Sequence, residues 1–331
     1  MSPSRTSSPA KAHEQIKSEN RMVQNSRFGK RFWIITTCVS LLIIAIALGV
    51  GLGVGLSNNG GGGEGGGGGG GSSDDSPEPP QVTNPNATEG SFWRPEAGTS
   101  WQIVLQPNIT DLTLNVSVWD IDLYTTNASV IKQLHDNDSK VICYFSAGSY
   151  EDFRPDSSDF EKSDYGKPLD GWPGEWWLNV SSPNVRKIMS ARLDLAQQKG
   201  CDGVDPDNVD GYDNDTGLDL TKQQSVDYME FLATEAHGRN MSIGLKNAGG
   251  IVNSTLLMMQ WQVNEQCVEY DECDLFQPFI ENNKPVFHIE YPKSAPRISA
   301  SDNTTFCDSS SDAGFSTLLK NMNLDDWYQE C

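Results

Sequence analysis

Short apolar runs alternate with longer amphipathic stretches along the C-terminal two-thirds of the chain. Eight apolar runs have the length and composition of strands: residues 101–106, 116–123, 140–147, 203–207, 241–246, 261–265, 285–290 and 314–319. Apolar side chains at three- and four-residue spacing predict helices over 184–199, 222–237 and, as a shorter element, 253–259. Thr221 is the predicted N-cap of the second helix.

Strands that alternate with helices indicate a parallel sheet. Eight such strands in roughly 240 residues favour closure of that sheet into a (β/α)8 TIM barrel. The alternative is an open, doubly wound sheet. No Gly-x-Gly-x-x-Gly motif follows the first strand, and nothing else in the sequence indicates a nucleotide.

A different pattern occupies the N-terminal part of the chain, where residues 32–56 are uncharged and mostly apolar. This run is long enough for a helix to cross a hydrocarbon core of about 30 Å at about 1.5 Å per residue. A cleaved signal peptide is the alternative, but its apolar region is normally shorter, at roughly 7–15 residues. We therefore predict a single transmembrane helix that is retained as an anchor.

The segments on either side of this helix predict its orientation. Residues 1–31 form a polar tail with seven basic and two acidic side chains and no apolar periodicity, so we expect it to be disordered. Lys30 and Arg31 adjoin the helix, which places the tail in the cytosol by the positive-inside rule. Residues 57–90 are rich in Gly, Ser and Pro and are predicted to link the helix to an extracellular domain, 91–331. The predicted location is the cell membrane, as a single-pass type II protein.

The sequence of the predicted ectodomain agrees with a glycoprotein outside the cytosol. All ten Asn-x-Ser/Thr sites lie beyond the helix, at Asn86, Asn108, Asn115, Asn127, Asn137, Asn179, Asn214, Asn240, Asn253 and Asn303. The formal net charge of the chain is −21, and the contribution of the tail to that total is net positive, so the rest of the chain is more acidic still. Such acidity disfavours nucleic acid as a partner and favours polycations, although it also serves solubility.

Six of the seven cysteines lie in the predicted ectodomain, where an oxidising environment permits disulfides. Cys267 with Cys273, and Cys307 with Cys331, are candidate pairs, although spacing alone does not determine connectivity. Cys143 lies within an apolar run and is interpreted as a buried thiol, with Cys201 as a neighbour. A zinc site is disfavoured because the chain has four histidines and no paired Cys-x-x-Cys.

Polar and charged residues stand at the ends of most predicted strands, where the active site of a parallel barrel lies. Acids from four strands and one lysine converge there in the predicted barrel: Asp120 and Asp122, Asp205 and Asp207, Glu265, Glu290 and Lys246. Burying several carboxylates together costs free energy, so stability alone does not explain such a cluster. Paired carboxylates are the groups that glycoside hydrolysis uses, one as nucleophile or base and one as acid.

Other hydrolytic chemistries have little support in the sequence. There is no Gly-x-Ser-x-Gly motif, no His-Glu-x-x-His motif and no phosphate-binding loop. Among the four histidines only His288 stands at the end of a predicted strand. No cofactor and no metal is expected.

Five blocks of sequence together resemble glycoside hydrolase family 114, the endo-α-1,4-polygalactosaminidases. The blocks are VICYFSAGS at 141–149, GVDPDNVDGY at 203–212, GLKN at 244–247, NEQC at 264–267 with EC at 272–273, and PVFHIEY at 285–291. The resemblance runs from about residue 93 to the C-terminus, and the anchored architecture is similar to that of fungal members. It implies a TIM barrel and cleavage of α-1,4-linked galactosamine in galactosaminogalactan.

The resemblance also implies roles for individual residues. Asp207 is expected to be the nucleophile and Glu265 the acid/base of a retaining mechanism, with Asp205 as an alternative partner because it shares a strand face with Asp207. The residues expected to line the sugar-binding cleft are Asp122, Tyr144, Asp205, Asn208, Lys246, Asn247 and Glu290. Trp176 and Trp177 are candidates for stacking on a sugar ring or for the core.

Two alternative functions stay open at this point. The same cleft in a non-catalytic surface protein would bind cationic polysaccharide without cleaving it. A hydrolase of another cell-wall glycan would have the same pair of carboxylates, so the sequence does not separate it from the leading hypothesis.

Overall fold

The computed structural model describes residues 92–107 and 109–331. The predicted tail, transmembrane helix and most of the linker lie outside these residues. Within them, no helix has both the length and the hydropathy that a membrane span requires.

The central feature of the fold is a sheet in which eight parallel strands follow one another. They are β1 (Trp101–Val104), β2 (Val118–Asp122), β3 (Lys140–Ser146), β7 (Gly203–Asp207), β8 (Ser242–Lys246), β9 (Trp261–Glu265), β10 (Val286–Glu290) and β11 (Ser316–Lys320). Each of the eight predicted strands corresponds to one of these. A short antiparallel strand, β12 (Tyr328–Glu330), pairs with β11 at the end of the sheet.

The first and eighth parallel strands approach each other across the seam of the sheet. The Trp101 indole N–H donates to the Ser316 carbonyl at 2.8 Å, and the Ser316 hydroxyl donates to the Thr99 carbonyl at 2.8 Å. Beyond the end of β1, the backbone N–H of Leu105 donates to the carbonyl of Leu324 at 3.0 Å. The result is a barrel-like α/β fold, as the sequence predicts.

Alternation of side chains along the strands gives the fold two apolar cores. One lies inside the barrel, where Trp101, Trp261 and Phe287 are in contact and almost fully buried. The other lies between the outer face of the sheet and the helices. Because neighbouring residues of a strand point to opposite faces, each strand contributes to both cores.

Helices cover the outside of the sheet: α1 (Ala128–Asp136), α2 (Pro183–Lys199), α3 (Lys222–Gly238), α4 (Val252–Thr255), α5 (Cys267–Tyr270), α6 (Gln277–Glu281) and α7 (Ala300–Cys307). The Ser182 side chain caps α2, whose first residue is proline, and left-handed Gly200 ends it. Thr221 caps α3 as predicted and forms a capping box with Gln224. The third predicted helix is shorter than expected, since α4 ends at Thr255.

A small antiparallel sheet, not predicted from the sequence, is inserted between β3 and α2. Its strands β4 (Ser149–Glu151), β5 (Tyr165–Pro168) and β6 (Glu175–Leu178) are arranged in the order β4-β6-β5. We call residues 149–178 the insertion. Tyr150, Tyr165 and Trp176 form an aromatic cluster on one of its faces, with the two tyrosine rings stacked at 4.5 Å.

Three disulfides join the six cysteines of the described residues. The predicted pairs Cys267–Cys273 and Cys307–Cys331 are confirmed. The interpretation of Cys143 as a thiol is wrong, because it is bonded to Cys201. Cys143 points outward from β3 into the core under the helices, where residue 201 begins the approach to the neighbouring strand β7.

Candidate active site

The carboxyl ends of β7, β8 and β9 bring two carboxylates and one ammonium group together. Asp207, Lys246 and Glu265 are the last residues of these neighbouring parallel strands. The Lys246 Nζ atom lies 3.0 Å from Glu265 Oε2 and 3.3 Å from Asp207 Oδ1. We call these three residues the central triad.

The two carboxylates of the central triad remain accessible, whereas the lysine does not. The Asp207 and Glu265 side chains are 17% and 25% exposed, and that of Lys246 is 2% exposed. A ligand in the cleft can therefore reach both acids. The buried ammonium group of Lys246 partly offsets the charge of the two acids.

Backbone in the left-handed region follows each strand of the triad. Asn208, Asn247 and Gln266 have φ angles of 62°, 49° and 65°. Such a conformation costs a non-glycine residue about 1–3 kcal/mol and is concentrated at functional sites. Here it turns the chain sharply after each triad residue, so that Asn208 N donates to Asp207 Oδ1 at 2.8 Å.

Glu265 is held by three donors. The Asn247 side-chain amide donates to Oε2 at 3.2 Å, Lys246 lies beside the same oxygen, and the Tyr291 hydroxyl donates to Oε1. Burial acts to raise the pKa of Glu265, but the charge of Lys246 and the hydrogen bonds from Tyr291 and Asn247 outweigh it and lower the pKa to about 2. Glu265 is therefore a carboxylate in the free protein.

Asp207 accepts a hydrogen bond from the Tyr144 hydroxyl at 2.9 Å, on the oxygen that does not face Lys246. Burial and the charge of Asp207 raise the pKa of Tyr144 well above its usual value, so the phenol remains a donor. Burial acts to lower the pKa of Lys246, but Asp207 and Glu265 together raise it above its usual range. Within the triad, Lys246 and Glu265 are thus an oppositely charged pair.

Asp205 and Asp120 form a second pair of acids, inside the barrel and below the triad. Both side chains are fully buried, and no donor group reaches any of their four carboxylate oxygens. Their carboxyl groups are hydrogen-bonding neighbours, and burial is the largest cause that raises the pKa of each. The charge of Lys246 acts to lower both pKa values, but burial outweighs it, so the pair is expected to hold a shared proton.

This shared proton predicts unequal effects of two substitutions at Asp120. Asp120→Asn keeps a donor for Asp205 and is expected to lower the free energy of unfolding at pH 7 by no more than about 1 kcal/mol. Asp120→Ala removes the donor and leaves Asp205 buried and unpaired, which should cost about 3–5 kcal/mol. Urea denaturation measures both. Equal losses would show that no proton is shared.

Two residues predicted to line the cleft are buried and paired with other side chains. Asp122 is almost buried and forms an ion pair with Arg154 at 2.8 Å. Glu290 is fully buried on the outer face of β10, where it accepts from the Val268 backbone at 2.8 Å and lies 3.0 Å from His288 Nε2. For Glu290 the reason is alternation, because Ile289 takes the inward position on β10 and Glu290 takes the outward one.

The remaining predicted residues surround the triad. Tyr144 and Asn247 contact its carboxylates directly, and Asn208 donates from its side chain to Ser146 Oγ at 2.9 Å. Ser149, at the start of the insertion, lies 2.6 Å from the same oxygen through its own hydroxyl and donates to Glu175 Oε2 at 2.8 Å. The insertion is thereby tied to the turn that follows Asp207.

Sequence reasoning missed two residues of the site, Tyr291 and Glu175. Side chains alternate between the two faces along β10. Because Tyr291 comes two positions after the inward-facing Ile289, its side chain is expected to face the cleft. Glu175 comes from the unpredicted insertion. Burial and the neighbouring charge of Glu151 raise the pKa of Glu175 to about 7.

Two other features of the described residues do not form a catalytic site. A pocket of about 560 Å³ lies at the opposite end of the barrel, around Lys140, Asp202 and Arg239. Barrel enzymes do not use that end for catalysis. Cys267, Cys273 and His288 are grouped closely enough to bind a metal, but the two sulfurs are bonded to each other and neither is a thiolate.

A barrel-like α/β fold with a reachable pair of carboxylates at the carboxyl ends of its strands defines the class of glycoside hydrolases. The sequence profile of glycoside-hydrolase family GH114 matches residues 82–331. The chain belongs to this family.

Solved structures agree with this assignment. Aspergillus fumigatus Ega3, in a crystal structure of its complex with galactosamine, is 55% identical, with a TM-score of 0.70 over 72% of this chain and 97% of that one. The glycoside hydrolase domain of PelA from Pseudomonas aeruginosa is 11% identical, with a TM-score of 0.54 over 71% of this chain and 98% of that one, and shares the fold. Among curated proteins none matches the chain.

Proposed function

We propose that this protein is an endo-acting hydrolase of α-1,4-linked galactosamine in galactosaminogalactan-type polysaccharide. The observation that carries the proposal is the pair of accessible carboxylates, Asp207 and Glu265, on one buried ammonium group. The galactosamine-bound relative and the acidity of the chain, with its net charge of −21, favour a cationic amino sugar as substrate.

The spacing of the acids is compatible with a retaining reaction. Asp207 Oδ1 and Glu265 Oε2 lie 3.3 and 3.0 Å from the same atom, Lys246 Nζ. The distance between these two oxygens therefore cannot exceed the sum of those two distances. Inverting enzymes need about 6.5–9.5 Å between the acids to admit a water molecule, whereas retaining enzymes have about 5–5.5 Å.

The complete proposed domain is a closed (β/α)8 barrel over residues 91–331.

In the proposed mechanism Asp207 attacks the anomeric carbon while Glu265 donates a proton to the departing glycosidic oxygen. This forms a covalent glycosyl ester on Asp207 and releases one part of the polymer. Water then attacks the same carbon, Glu265 takes its proton, and the ester bond to Asp207 breaks. Tyr144 and Lys246 hold Asp207 in place for attack.

The low pKa of Glu265 bears directly on this assignment. A general acid must be protonated, and Glu265 is ionised in the free protein because Lys246 lies beside it. The proposed roles therefore require the pKa of Glu265 to rise when the sugar binds. The reverse assignment, with Glu265 as nucleophile, requires no such change in pKa.

The test of the proposed function is incubation of the purified protein with acetylated and deacetylated galactosaminogalactan, with products analysed by mass spectrometry. We expect a ladder of short oligosaccharides from the deacetylated polymer. Binding without new reducing ends over a long incubation would instead show a non-catalytic binder. Cleavage of a different cell-wall glycan alone would assign the chain to another substrate.

We propose further that residues 32–56 anchor the protein in the cell membrane with the hydrolase domain outside. The uncharged apolar run and the adjacent Lys30 and Arg31 support this orientation, and three disulfides fit an oxidising compartment. Protease added to intact cells should then remove the C-terminal domain. Full protection of that domain would contradict the proposed orientation.

A further inference from the structure

A chain of hydrogen bonds joins the insertion to the turn that follows Asp207. The Ser149 hydroxyl donates to Glu175 Oε2 at 2.8 Å and lies 2.6 Å from Ser146 Oγ. The Asn208 side-chain amide donates to Ser146 Oγ at 2.9 Å, and Asn208 N donates to Asp207 Oδ1 at 2.8 Å. Glu175, the first residue of β6, is thereby connected to Asp207 through two serines and one asparagine.

The direction of these hydrogen bonds is fixed by the number of acceptor sites. Ser146 Oγ accepts from the Asn208 side chain and from the Ser149 backbone N–H at 3.1 Å, which occupies both of its lone pairs. The Ser146 hydroxyl must therefore donate to Ser149 Oγ, and the Ser149 hydroxyl must donate to Glu175. Both serines are buried, so water has little access to them. The chain keeps this direction only while position 175 offers an acceptor.

The backbone beside this chain is tightly packed. Ala147 N and Gly148 N donate to the Asp207 carbonyl at 2.8 and 2.9 Å, and Leu178 N, at the end of β6, donates to the Gly148 carbonyl at 2.8 Å. A Cβ atom at Gly148 would lie 1.7 Å from the Asn208 carbonyl oxygen, so only glycine permits this approach. The insertion therefore contacts the turn after β7 through backbone, and the serine hydroxyls orient the Asn208 side chain within that contact.

The charged and titratable groups around Glu175 come from several neighbouring elements. They are Glu151 of β4 with its partners Arg154, Asp122 of β2 and Arg192 of α2, Tyr144 of β3 and Asp207 of β7. Glu151 lies opposite Glu175 in the register of β4 and β6 and forms an ion pair with Arg154 at 2.9 Å. Burial, Glu151 and Asp207 raise the pKa of Glu175 to about 7, against the hydrogen bond from Ser149 and the charge of Arg154. Glu175 is therefore ionised above neutral pH and protonated below it.

We propose that Glu175 is a positioning residue for the hydrolytic reaction. As a carboxylate it accepts from Ser149, fixes the direction of the hydrogen-bond chain and so holds the Asn208 turn that presents Asp207 to the sugar. When Glu175 takes up a proton, its neutral carboxyl group is a weaker acceptor and the turn is held less firmly. The inference rests on the proposed function for the role of Asp207, and on the hydrogen-bond chain for the role of Glu175.

The first test compares kcat of wild type and Glu175→Gln on deacetylated galactosaminogalactan between about pH 5.5 and pH 8.5. Glutamine keeps an acceptor oxygen without a charge, so it reproduces the protonated state at every pH. Wild type should be about fivefold faster at the alkaline end, which is the difference between a charged and a neutral hydrogen bond. The two proteins should be equal at the acidic end, with the change centred near pH 7. A ratio of the two kcat values that does not vary with pH would overturn the proposal.

Ser149→Ala decides whether Glu175 acts through the hydroxyl groups or directly by its charge. This change breaks the connection to Asn208 while Glu175 keeps its charge. In the Ser149→Ala protein, adding Glu175→Gln should change kcat by less than about twofold at any pH, because the two changes remove the same connection. A fivefold effect of Glu175→Gln that persists in this background would show that the charge acts on Asp207 through space, and would exclude the positioning role.

The matched control is Asp159→Asn, which removes an exposed acid of the same insertion. It should have the kcat of wild type at every pH. A loss as large as that of Glu175→Gln, with the same dependence on pH, would reduce the effect to net charge and overturn the proposal.

Hydrogen exchange distinguishes failure of this inference from failure of the proposed function. If wild type does not cleave the polymer, exchange of the Asn208 backbone amide, which donates to Asp207, still measures how firmly the turn is held. Glu175→Met removes the acceptor and should accelerate this exchange about tenfold at alkaline pH. Glu175→Gln, which keeps the size and an acceptor, should give an intermediate rate, and Asp159→Asn the rate of wild type. Equal exchange in wild type, Glu175→Gln and Glu175→Met would exclude the positioning role.

Discussion

Replacing Glu265 with Gln is expected to lower kcat on deacetylated galactosaminogalactan by about 10²- to 10⁴-fold while the protein remains folded. Glutamine preserves the size of the side chain and can still accept from Tyr291 and Asn247. It can neither donate an acidic proton nor accept one from water. Asp207→Asn should cause a loss at least as large, because an amide cannot form the glycosyl ester.

The two variants also decide which acid is the nucleophile. With an activated leaving group and added azide, a variant lacking the acid/base still forms the glycosyl ester, and azide then attacks it. The product is a glycosyl azide with the original α configuration. A variant lacking the nucleophile lets azide attack the substrate directly, which gives the β configuration. We expect the α product from Glu265→Gln and the β product from Asp207→Asn.

Glu281→Gln, an exposed change on α6, serves as the control and should retain full activity. The opposite pattern of azide products would reverse the roles of Asp207 and Glu265. Activity close to wild type in both variants would show that neither residue is catalytic, and would direct attention to Asp205.

Replacing Lys246 with Met is expected to lower the free energy of unfolding at pH 7 by about 3–5 kcal/mol. Methionine fills similar space, so the loss comes from charge: Asp207 and Glu265 would keep their negative charges without the ammonium group that now lies within 3.3 Å of both. Activity should fall as well, because Lys246 holds both acids in position.

This effect should depend on pH. Since the pKa of Glu265 is depressed in the folded protein, its contribution to stability is fully present above its unfolded pKa of about 4.3 and is lost as pH falls towards its folded pKa. In Lys246→Met the same carboxylate takes up a proton more readily. The difference in stability between the two proteins should therefore shrink between about pH 4 and pH 2.

Urea denaturation at pH 7 and at pH 3 measures both effects. Lys132→Met is the control, because Lys132 forms an exposed ion pair with Asp136 within α1 and should contribute little. A loss at Lys246 as small as that at Lys132, or one that does not change with pH, would contradict the account of the triad.

The sequence predicted the barrel strands well because each contains a short apolar run and most of them end in a polar residue. The insertion was not predicted, since its strands of three or four residues contain Gly, Pro and Glu and lack a clear alternating pattern. Its position depends on contacts such as that of Ser149 with Asn208, which follows β7 and is distant in sequence.

The sequence predicted that the ends of the barrel strands form the site. It did not predict which side chains at those ends face the cleft. The sequence motif placed Glu290 in the cleft. The alternation of side chains along β10 instead places Tyr291 there, in contact with Glu265. The pairing of Asp120 with Asp205 could not be predicted, because it joins residues of β2 and β7, two strands that are separated by β3. Spacing along the chain says nothing about two side chains that meet across a barrel interior.

The Cys143–Cys201 disulfide has a consequence for chain cleavage. It joins β3 to the residue pair just before β7, so the whole insertion and α2 lie within the loop that it closes. A protease cut at an exposed position there, such as beside Phe153, leaves both fragments covalently joined. On a gel without reductant the cut protein would still migrate as one polypeptide, and the two strands that carry Tyr144 and Asp207 would remain in one molecule.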